Sequence, residues 1–507
     1  MTEQPENMPD QPENMPEQPE NWKDGLRQRV VDEVEYIRNA FSEATHGEIE
    51  IGVARSHGRV DYLFAERRML VREEYLGRVL ETLQSPQERA ERAEGAERER
   101  DPEVDRRRLE RDHAGQIERV ISGVVLLELT DKHPPTREAL DRIDDELGRG
   151  IATPDHVLTV TSGEGTPCSA TEPQEVYDDV EPYPSVCPHG AGAGVSIFID
   201  DTGLLAGADA THPWLAGVHG DPDPLPPVGA DGVQAIPEYT GHGTFVAGVA
   251  RCMAPAAEIF VSRVLAVAGS QLESHWIRRL EHALGRGVDI FHLSVVTHSR
   301  HDLPLITFRE WLRHLREYGG AVCVVAAGND GTRWLAWPAA FSDVISVGAL
   351  GSDWRGRASF SNYGSWVDVY APGRDLVNAY ATGTYTCNVY PYGGTDRTFY
   401  GMAKWSGTSF STPIVTGLIA ARMSRTGETA RHAAAAVLAE ARSHAIPGVG
   451  PVLFPRCGGC GGCGCGGGGC GCGGGGCSGG RGEHPAGHGC RCRTPCPGPE
   501  RPGPPFG

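Results

Sequence analysis

Gly407-Thr408-Ser409-Phe410-Ser411-Thr412-Pro413 places a serine at the start of a predicted helix, which continues as Ile-Val-Thr-Gly-Leu-Ile-Ala-Ala over 414–421. The N-terminus of a helix offers unpaired backbone N–H groups and the positive end of the helix dipole. A serine nucleophile needs such surroundings. Ordinary N-capping predicts the same pattern, so this segment alone leaves both interpretations open.

Two upstream segments contain the residue types that activate a serine. Gly241-His242-Gly243 sets a histidine between two glycines, which let the backbone present the imidazole without a clash. The run Val-Ser-Ile-Phe-Ile-Asp-Asp at 195–201 is apolar and ends in two acids. That pattern predicts a buried parallel strand with a carboxylate at its C-terminal end. An acid, a histidine and a serine supply the three roles of a charge-stabilised nucleophile.

The chain order Asp, His, Ser resembles that of the subtilisin-like serine peptidases, or subtilases. Residues 191–445 contain four segments that resemble the family's motifs, in the family's order. They are Asp201-Thr202-Gly203, His242-Gly243-Thr244, Val324-Val325-Ala326-Ala327-Gly328-Asn329, and Gly407-Thr408-Ser409 with Pro413. The resemblance implies an α/β fold with a mostly parallel sheet and helices on both faces. We expect its central strands at 195–200, 259–264, 289–295, 321–327 and 344–349.

The resemblance also implies a role for each motif. Ser409 is the expected nucleophile, His242 the base that takes its proton, and Asp201 the acid that orients the imidazole. Asp200 competes with Asp201, because side chains alternate along a strand and only one of the two can face the histidine; the Asp-Thr-Gly motif favours Asp201. Asn329 is expected to donate its amide to the oxyanion with the backbone N–H of the serine. The Gly-Asn-Asp-Gly turn around it accounts for an asparagine there as well.

Peptide or protein substrates are implied by the same resemblance, bound by strand addition to an exposed edge. The segment that resembles this edge is Asp-Ile-Phe-His-Leu-Ser-Val-Val at 289–296. Its candidate substrate-binding residues are Leu293, Ser294 and Val295, and His292 is expected to be a packed strand residue. Subtilases usually carry a glycine soon after this serine. This chain has Val-Val-Thr instead, a departure that concerns the depth and shape of the specificity pocket.

The sequence predicts neither a metal site nor a cofactor in this region, because no acidic loop has the spacing of calcium ligands. An aromatic-rich hairpin is predicted at 385–395. The sequence leaves open whether that hairpin lies at the rim of the cleft or forms a surface ribbon.

A second, α+β unit is predicted at 22–165, with a charged linker at 85–111. Its expected strands lie at 48–53, 68–71, 124–130 and 156–161, and its expected helices at 75–83 and 136–147. In position and pattern the unit resembles the small prodomains of subtilases, which pack a C-terminal strand toward the active-site cleft. We therefore expect an intramolecular inhibitor unit, and a plain accessory or regulatory domain is the competing interpretation. The linker 166–190 lies within a polar connector, Ser162 to Gly194, that contains Gly163, Gly165 and five prolines and is expected to be extended.

The composition excludes several classes of partner. The chain of 507 residues has 67 acids and 47 bases, a net charge of -20. Phosphate binding needs a basic face, so nucleic acid is not an expected partner. No apolar run is long enough to span a membrane, so no membrane partner is expected.

The N-terminal residues 1–21 repeat Gln-Pro-Glu and lack the basic and apolar regions of a secretory signal. Their composition predicts a disordered leader. We expect a cytoplasmic location, and export by a route that the sequence does not show is the alternative.

Ten of the fifteen cysteines lie in the C-terminal tail, 446–507, where glycine dominates and few apolar residues accompany them. Such a segment cannot build a hydrophobic core, which predicts a flexible tail. Metal binding and disulfide cross-linking are the alternatives, although the spacing fits no standard zinc module. Cys168 and Cys187 can pair across the linker, except in a reducing compartment.

Two function classes follow from these observations. The first is a serine endopeptidase that works through an Asp-His-Ser triad and an acyl-enzyme intermediate, restrained by its N-terminal unit. The second is a subtilase-fold binding or regulatory protein with weak activity. Because every catalytic position is filled, the sequence favours the first.

Overall fold

The computed structural model of this chain describes residues 22–56, 59–84, 111–160, 171–176, 180–187, 190–387 and 393–455. The predicted leader 1–21, all but the last residue of the predicted charged linker 85–111 and the cysteine-rich part of the tail lie outside these residues. Within the described part of the chain, no helix is both long and apolar enough to cross a membrane.

The N-terminal unit, residues 22–160 apart from the gaps given above, combines an antiparallel sheet with helices. Its elements are α1 (Trp22–Ala44), β1 (Ile51–Ser56), β2 (Arg59–Arg72), α2 (Leu76–Leu83), β3 (Ile117–Ile121), β4 (Val124–Glu128), α3 (Thr136–Leu147) and β5 (Ala152–Thr159). The central strand β2 pairs antiparallel with β1, β4 and β5. The helix α1 was not expected from the sequence.

The two faces of this sheet bury different partners, because side chains alternate along a strand. Met69 and Val71 of β2 pack against α2 and α3 in a cluster that includes Leu80 and Leu140. Leu70, between them, points the other way and belongs to the main core of the C-terminal unit. Burying such a side chain stabilises the folded state by about 1.5–3 kcal/mol. The N-terminal sheet is therefore sandwiched between its own helices and the C-terminal unit.

The C-terminal unit, residues 190–455, contains the motifs. Its first elements are β6 (Ser196–Asp201), β7 (Leu204–Leu205), α4 (Ala208–Thr211), β8 (His219–Gly220), β9 (Pro222–Asp223), α5 (His242–Met253), β10 (Glu258–Arg263), β11 (Ser270–Leu272) and α6 (Glu273–Leu284). The remaining elements are β12 (Ile290–Leu293), α7 (Ile306–Glu317), β13 (Val322–Ala326), β14 (Ile345–Leu350), β15 (Val369–Pro372), β16 (Leu376–Thr386), β17 (Asp396–Trp405), α8 (Thr408–Thr426) and α9 (Ala430–Ser443).

Seven strands form a parallel sheet in the order β15-β14-β13-β12-β6-β10-β8. The helices α5 and α8 pack together on one face, and α6 packs on α7 on the other. The predicted fold class is confirmed, and the five predicted central strands are β6, β10, β12, β13 and β14. Since β6 lies between β10 and β12, the chain order reverses there, and open α/β sheets place their sites at the carboxyl ends of strands at such a point.

The linker that precedes the C-terminal unit lies along the β16–β17 hairpin. Gln174 forms a bridge with Lys404 of β17, and Tyr183 forms one with Val377 of β16. Cys187 is buried, and its backbone N–H donates to the Cys252 carbonyl at 2.7 Å. Its proposed partner Cys168 lies outside the described residues.

At the other end, the packed structure extends past the predicted start of the tail at 446. The Tyr370 N–H donates to the Pro451 carbonyl, and the Leu453 N–H donates to the Tyr370 carbonyl. Val452 and Leu453 are buried. The predicted boundary at 446 was therefore too early: Val452 and Leu453 pack beside Tyr370 of β15 and continue the core. The cysteines of the tail begin only at 457.

The last strand of the N-terminal unit, β5, pairs with the C-terminal unit along both of its sides. On one side β11 is antiparallel to it, with Leu272 opposite Val157. On the other side Thr159 exchanges two backbone hydrogen bonds with Val296, at 3.0 and 2.9 Å. The N–H of Val160 adds a bond to the Gly269 carbonyl at 3.0 Å. The end of β5 thus lies between two segments of the C-terminal unit, β11 on one side and Val296 on the other, and pairs with both.

Buried polar groups also join the two units. The carboxylate of Asp155 accepts hydrogen bonds from the backbone N–H and hydroxyl of Ser274, at 2.9 and 2.7 Å, in the first turn of α6. The ring of His156 lies 2.9 Å from the carboxylate of Glu273, and both are buried. Arg300 pairs with Asp141 and Asp144 of α3.

Two interface arginines differ in burial, and we expect their loss to have different effects. The side chain of Arg300 and its partner Asp144 are 7% and 8% exposed, whereas Arg278 and Glu118 are 34% and 55% exposed. Arg300→Ala removes the arginine partner of the buried Asp144 carboxylate, leaves it only the longer contact with His301 at 3.6 Å, and should lower the free energy of unfolding by about 3 kcal/mol. Arg278→Ala should lower it by less than about 1 kcal/mol. Chemical denaturation of the full-length variants measures both, and equal losses would contradict this ranking.

Candidate active site

The acid and the histidine of the predicted triad meet at the carboxyl end of the parallel sheet. Asp201 ends β6, and its Oδ1 lies 2.7 Å from Nδ1 of His242, the first residue of α5. The same Oδ1 accepts a hydrogen bond from the Thr202 N–H at 2.7 Å. Both side chains are fully buried. The pairing fixes the proton of the ring on Nδ1 and leaves Nε2 as the basic nitrogen.

The flanking glycines allow this approach. Gly241 has a φ of 86°, in the left-handed region that favours glycine. A Cβ atom at Gly243 would lie 2.4 Å from the carbonyl oxygen of Gly203, too close for any side chain. The start of α5 can therefore lie against the loop after β6 only with glycine at 243.

Asp200, the competitor of Asp201, points to the other face of the sheet. Its Oδ2 accepts a hydrogen bond from the Trp276 indole of α6 at 2.6 Å. Burial raises the pKa of Asp200 to about 8, so this carboxyl is largely neutral at pH 7. Strand alternation thus sends the two neighbouring acids to opposite sides, and Asp201 is the one that meets the histidine.

Ser409 lies in the first turn of α8 and is 1% exposed. The next residue, Phe410, packs on the ring of His242 with the ring centroids 5.1 Å apart. Trp405, the last residue of β17, contacts the same ring edge-on at 5.5 Å. The start of α8 is thus held beside the histidine, and the base of the β16–β17 hairpin forms part of its surroundings.

The side-chain amide of Asn329 has a defined orientation. Its Oδ1 accepts hydrogen bonds from the backbone N–H and the hydroxyl of Thr408, both at 2.9 Å. A backbone N–H can only donate, so the atom that faces Thr408 is the oxygen, and the NH₂ group points away from it. Asn329 and Ser409 therefore both lie next to Thr408, which couples the loop after β13 to the start of α8.

Asn362, which the sequence analysis did not identify, holds this loop. It is fully buried, and its Nδ2 donates to the Ala327 carbonyl at 3.0 Å. Its Oδ1 accepts from the backbone N–H groups of Asp330 and Thr332, at 3.0 and 3.2 Å. One amide thus fixes the turn around Asn329 from both sides, a role that a single sequence does not signal.

The predicted substrate-binding residues Leu293, Ser294 and Val295 lie at the end of β12 and just beyond it, and all three are buried. The backbone that pairs with another strand belongs to the next residue, Val296. The second pairing segment, β11, was also not identified, because its three residues carry no strand pattern. In the described ranges, no group of three or more His, Cys, Asp or Glu residues is arranged to hold a metal ion.

Replacing Asp200 by asparagine should not destabilise the protein, because the buried carboxyl is already neutral and an amide oxygen can still accept from Trp276. A pKa raised from 3.8 to about 8 means that folding favours the protonated form. The stability that this group contributes is full below about pH 4 and is lost as the pH rises through about 8. The unfolding free energy of Asp200→Asn relative to the unmodified protein should therefore increase between about pH 4 and 8. Chemical denaturation across this range measures it, and a constant difference would contradict the raised pKa.

Comparison with known proteins places this geometry in a family. The model of the subtilase family matches residues 192–449, just over half of the chain. Subtilisin Savinase from Lederbergia lenta is 31% identical over 238 residues, covering 45% of this chain and 76% of that protein. Thermitase from Thermoactinomyces vulgaris is 32% identical over 258 residues, covering 48% of this chain and 80% of that protein.

A third relative shows where the similarity ends. The M-protease of Shouchella clausii (strain KSM-K16) is 31% identical over 238 residues, and the match covers 45% of this chain. The match spans about half of that relative's length, 54%. The resemblance inferred from the four motifs is nevertheless confirmed: this chain belongs to the subtilase family of serine peptidases.

Proposed function

We propose that this chain is a serine endopeptidase that cleaves peptide bonds through Asp201, His242 and Ser409. The observation that carries the proposal is the buried contact of 2.7 Å between Asp201 and His242, beside the helix start that contains Ser409. With Nδ1–H of the ring donated to the carboxylate, Nε2 can take the proton of the serine hydroxyl.

The reaction then follows from these positions. The Oγ of Ser409 attacks the carbonyl carbon of a substrate while its proton passes to Nε2 of His242. The imidazolium, stabilised by Asp201, returns that proton to the leaving amine as the C–N bond breaks, which leaves an acyl-enzyme. A water molecule, activated by the same nitrogen, releases the acid product and restores the serine.

Asn329 is the proposed stabiliser of the oxyanion. Because Thr408 hydrogen-bonds to its amide oxygen, the NH₂ group is the donor that Asn329 would turn to a developing negative charge. The Ser409 N–H, at the start of α8, is the second proposed donor. Losing one such donor costs about 10²–10³ in turnover, a figure measured in subtilisin itself.

We further propose that the N-terminal unit restrains the enzyme by occupying the place of a substrate. The pairing of Thr159 with Val296, and of Val157 with Leu272, supports this idea. An extended peptide would use the same backbone groups by strand addition. Since the unit is tethered, its effective concentration can reach the millimolar range, so that even weak pairing competes with substrate.

Ser409→Ala should abolish peptide hydrolysis and labelling by a fluorophosphonate probe, with thermal unfolding nearly unchanged. Asp201→Asn should lower kcat by about 10⁴, because the ring then adopts the wrong tautomer. Asp200→Asn is the matched control and should retain activity. If the unmodified chain neither labels nor cleaves peptides, the chain is instead a subtilase-fold binding protein. If Asp200→Asn is the inactive variant, the assignment within the acid pair is wrong.

Thr159→Pro should activate the uncut chain. Proline removes the N–H that donates to the Val296 carbonyl, whereas Thr159→Ala keeps it. We expect Thr159→Pro to raise the initial rate of cleavage of a short peptide by about tenfold or more, and Thr159→Ala to leave it nearly unchanged. Mass spectrometry checks that each chain is intact when assayed. An uncut, unmodified chain that is as active as the proline variant would reduce the N-terminal unit to a bystander.

A further inference from the structure

His292 is a buried histidine that the proposed mechanism does not use. It lies on β12, is fully buried, and touches two hydroxyl groups. Its Nδ1 lies 3.1 Å from Oγ1 of Thr416, and its Nε2 lies 3.0 Å from Oγ of Ser294. A packed strand position would be filled equally well by an apolar residue, so these two contacts require an explanation.

The register of the sheet places this histidine directly below the proposed catalytic groups. Leu293 lies opposite Asp200 in the pairing of β12 with β6. One residue further along both strands, Ser294 is level with Asp201, and both point to the face that carries α5 and α8. His292 is on that same face, one step lower.

The other partner belongs to the nucleophile's helix. Thr416 lies on α8, seven residues after Ser409, which is two helical turns and thus the same side of the helix. His292 therefore connects Ser294, the first residue of the segment 294–296 that leads to the pairing at Val296, with α8, whose first turn contains Ser409.

The chemistry of the ring suits a fixed link. Burial lowers the pKa of His292 to about 3, so the ring is neutral throughout the range in which a protease works. A neutral imidazole has one N–H and one lone pair, and a hydroxyl can donate or accept. Both hydroxyl contacts can therefore be hydrogen bonds at once, with no charge to compensate.

We propose that His292 is a positioning residue for peptide binding, whose Nε2 fixes the Ser294 hydroxyl and with it the backbone of 294–296. It moves no proton. This inference rests on the proposed function, in which an extended peptide substrate pairs with the backbone of Val296. It implies that losing the Ser294 contact weakens the binding of extended peptides and leaves the reaction of Ser409 with a small probe intact.

Two substitutions separate the two ring nitrogens. The amide of asparagine reaches the position of Nδ1 and can keep the contact with Thr416, whereas the amide of glutamine reaches the position of Nε2 and can keep the contact with Ser294. His292→Asn should therefore lose the contact that matters, and His292→Gln should retain it. Thr416→Val is the matched control that removes the other contact.

The first measurement is steady-state kinetics on an extended peptide substrate, with fluorophosphonate labelling of the same samples, in chains that all carry Thr159→Pro so that the N-terminal unit does not compete for Val296. His292→Asn should raise KM roughly five- to tenfold, as expected for one lost hydrogen bond, with kcat and the labelling rate within about twofold. His292→Gln and Thr416→Val should keep KM within about twofold of the chain that carries Thr159→Pro alone. A purely structural role would lower thermal stability without this division between KM and kcat.

The second measurement does not depend on activity. In the full chain carrying Ser409→Ala, amide hydrogen exchange at Val296 reports its bond to the Thr159 carbonyl. His292→Asn should speed this exchange roughly five- to tenfold, and His292→Gln should not.

The possible outcomes are distinct. If the asparagine and glutamine variants behave alike in the exchange measurement, or if Thr416→Val raises KM as much as His292→Asn, the positioning role is overturned. If the unmodified chain shows neither labelling nor hydrolysis, the proposed function fails, and the exchange measurement still decides whether His292 holds the pairing segment.

Discussion

The rest of the site depends on the burial of an acid against a histidine at the end of one strand. Removing a carboxylate from water is costly unless hydrogen bonds replace the lost hydration. Oδ1 of Asp201 receives two, from His242 and from the Thr202 N–H. To bring these groups together, the start of α5 must lie against the loop after β6, which only glycine at 243 permits. The aromatic rings of Trp405 and Phe410 then exclude water from the pair.

Much of the fold and the order of the site residues could be predicted from sequence, because both depend on local patterns. The strand at 195–201 is apolar and β-branched, its two acids alternate, and glycines mark the close approaches. The buried parallel strand and the placement of the two acids on opposite faces follow from these signals. The choice of Asp201 over Asp200 came from the resemblance of Asp201-Thr202-Gly203 to the subtilase motif. Of the predicted hairpin at 385–395, Tyr385 and Thr386 end β16, Thr395 directly precedes β17, and 388–392 lie outside the described residues.

Other parts of the site depend on contacts between distant segments and have no local signal. Asn362 holds the turn at Asn329 from more than thirty residues away, and nothing in its neighbours indicates this role. The pairing of Val296 depends on where β5 of another unit lies. α1, by contrast, does carry a local signal that was overlooked: its buried residues Val34, Ile37 and Phe41 are spaced three and four residues apart, the spacing of an amphipathic helix.

Two buried carboxylates at the interface between the units, those of Asp155 and Glu273, are each bound at the N-terminus of a helix. Each of two helices that face the N-terminal unit has a carboxylate at its N-terminus, where the helix dipole favours negative charge. Asp155 comes from the N-terminal unit and binds the first turn of α6. Glu273 accepts from the Thr307 hydroxyl at the start of α7 and also contacts His156. Asp155 and His156 both lie on β5, the strand that pairs with Val296, so polar docking and strand pairing are coupled.

The linker contacts have a consequence for the surface that a cut between the two units would leave on the C-terminal unit. A two-stranded hairpin presents unpaired backbone groups on both outer edges, and exposed edges promote association with other strands. Here the bridges of Gln174 with Lys404 and of Tyr183 with Val377 cover one edge each. The Trp405 indole also donates to the Thr171 carbonyl. Because these contacts all come from residues after 170, a cut before residue 171 would leave both outer edges of the hairpin paired, next to the histidine of the candidate site.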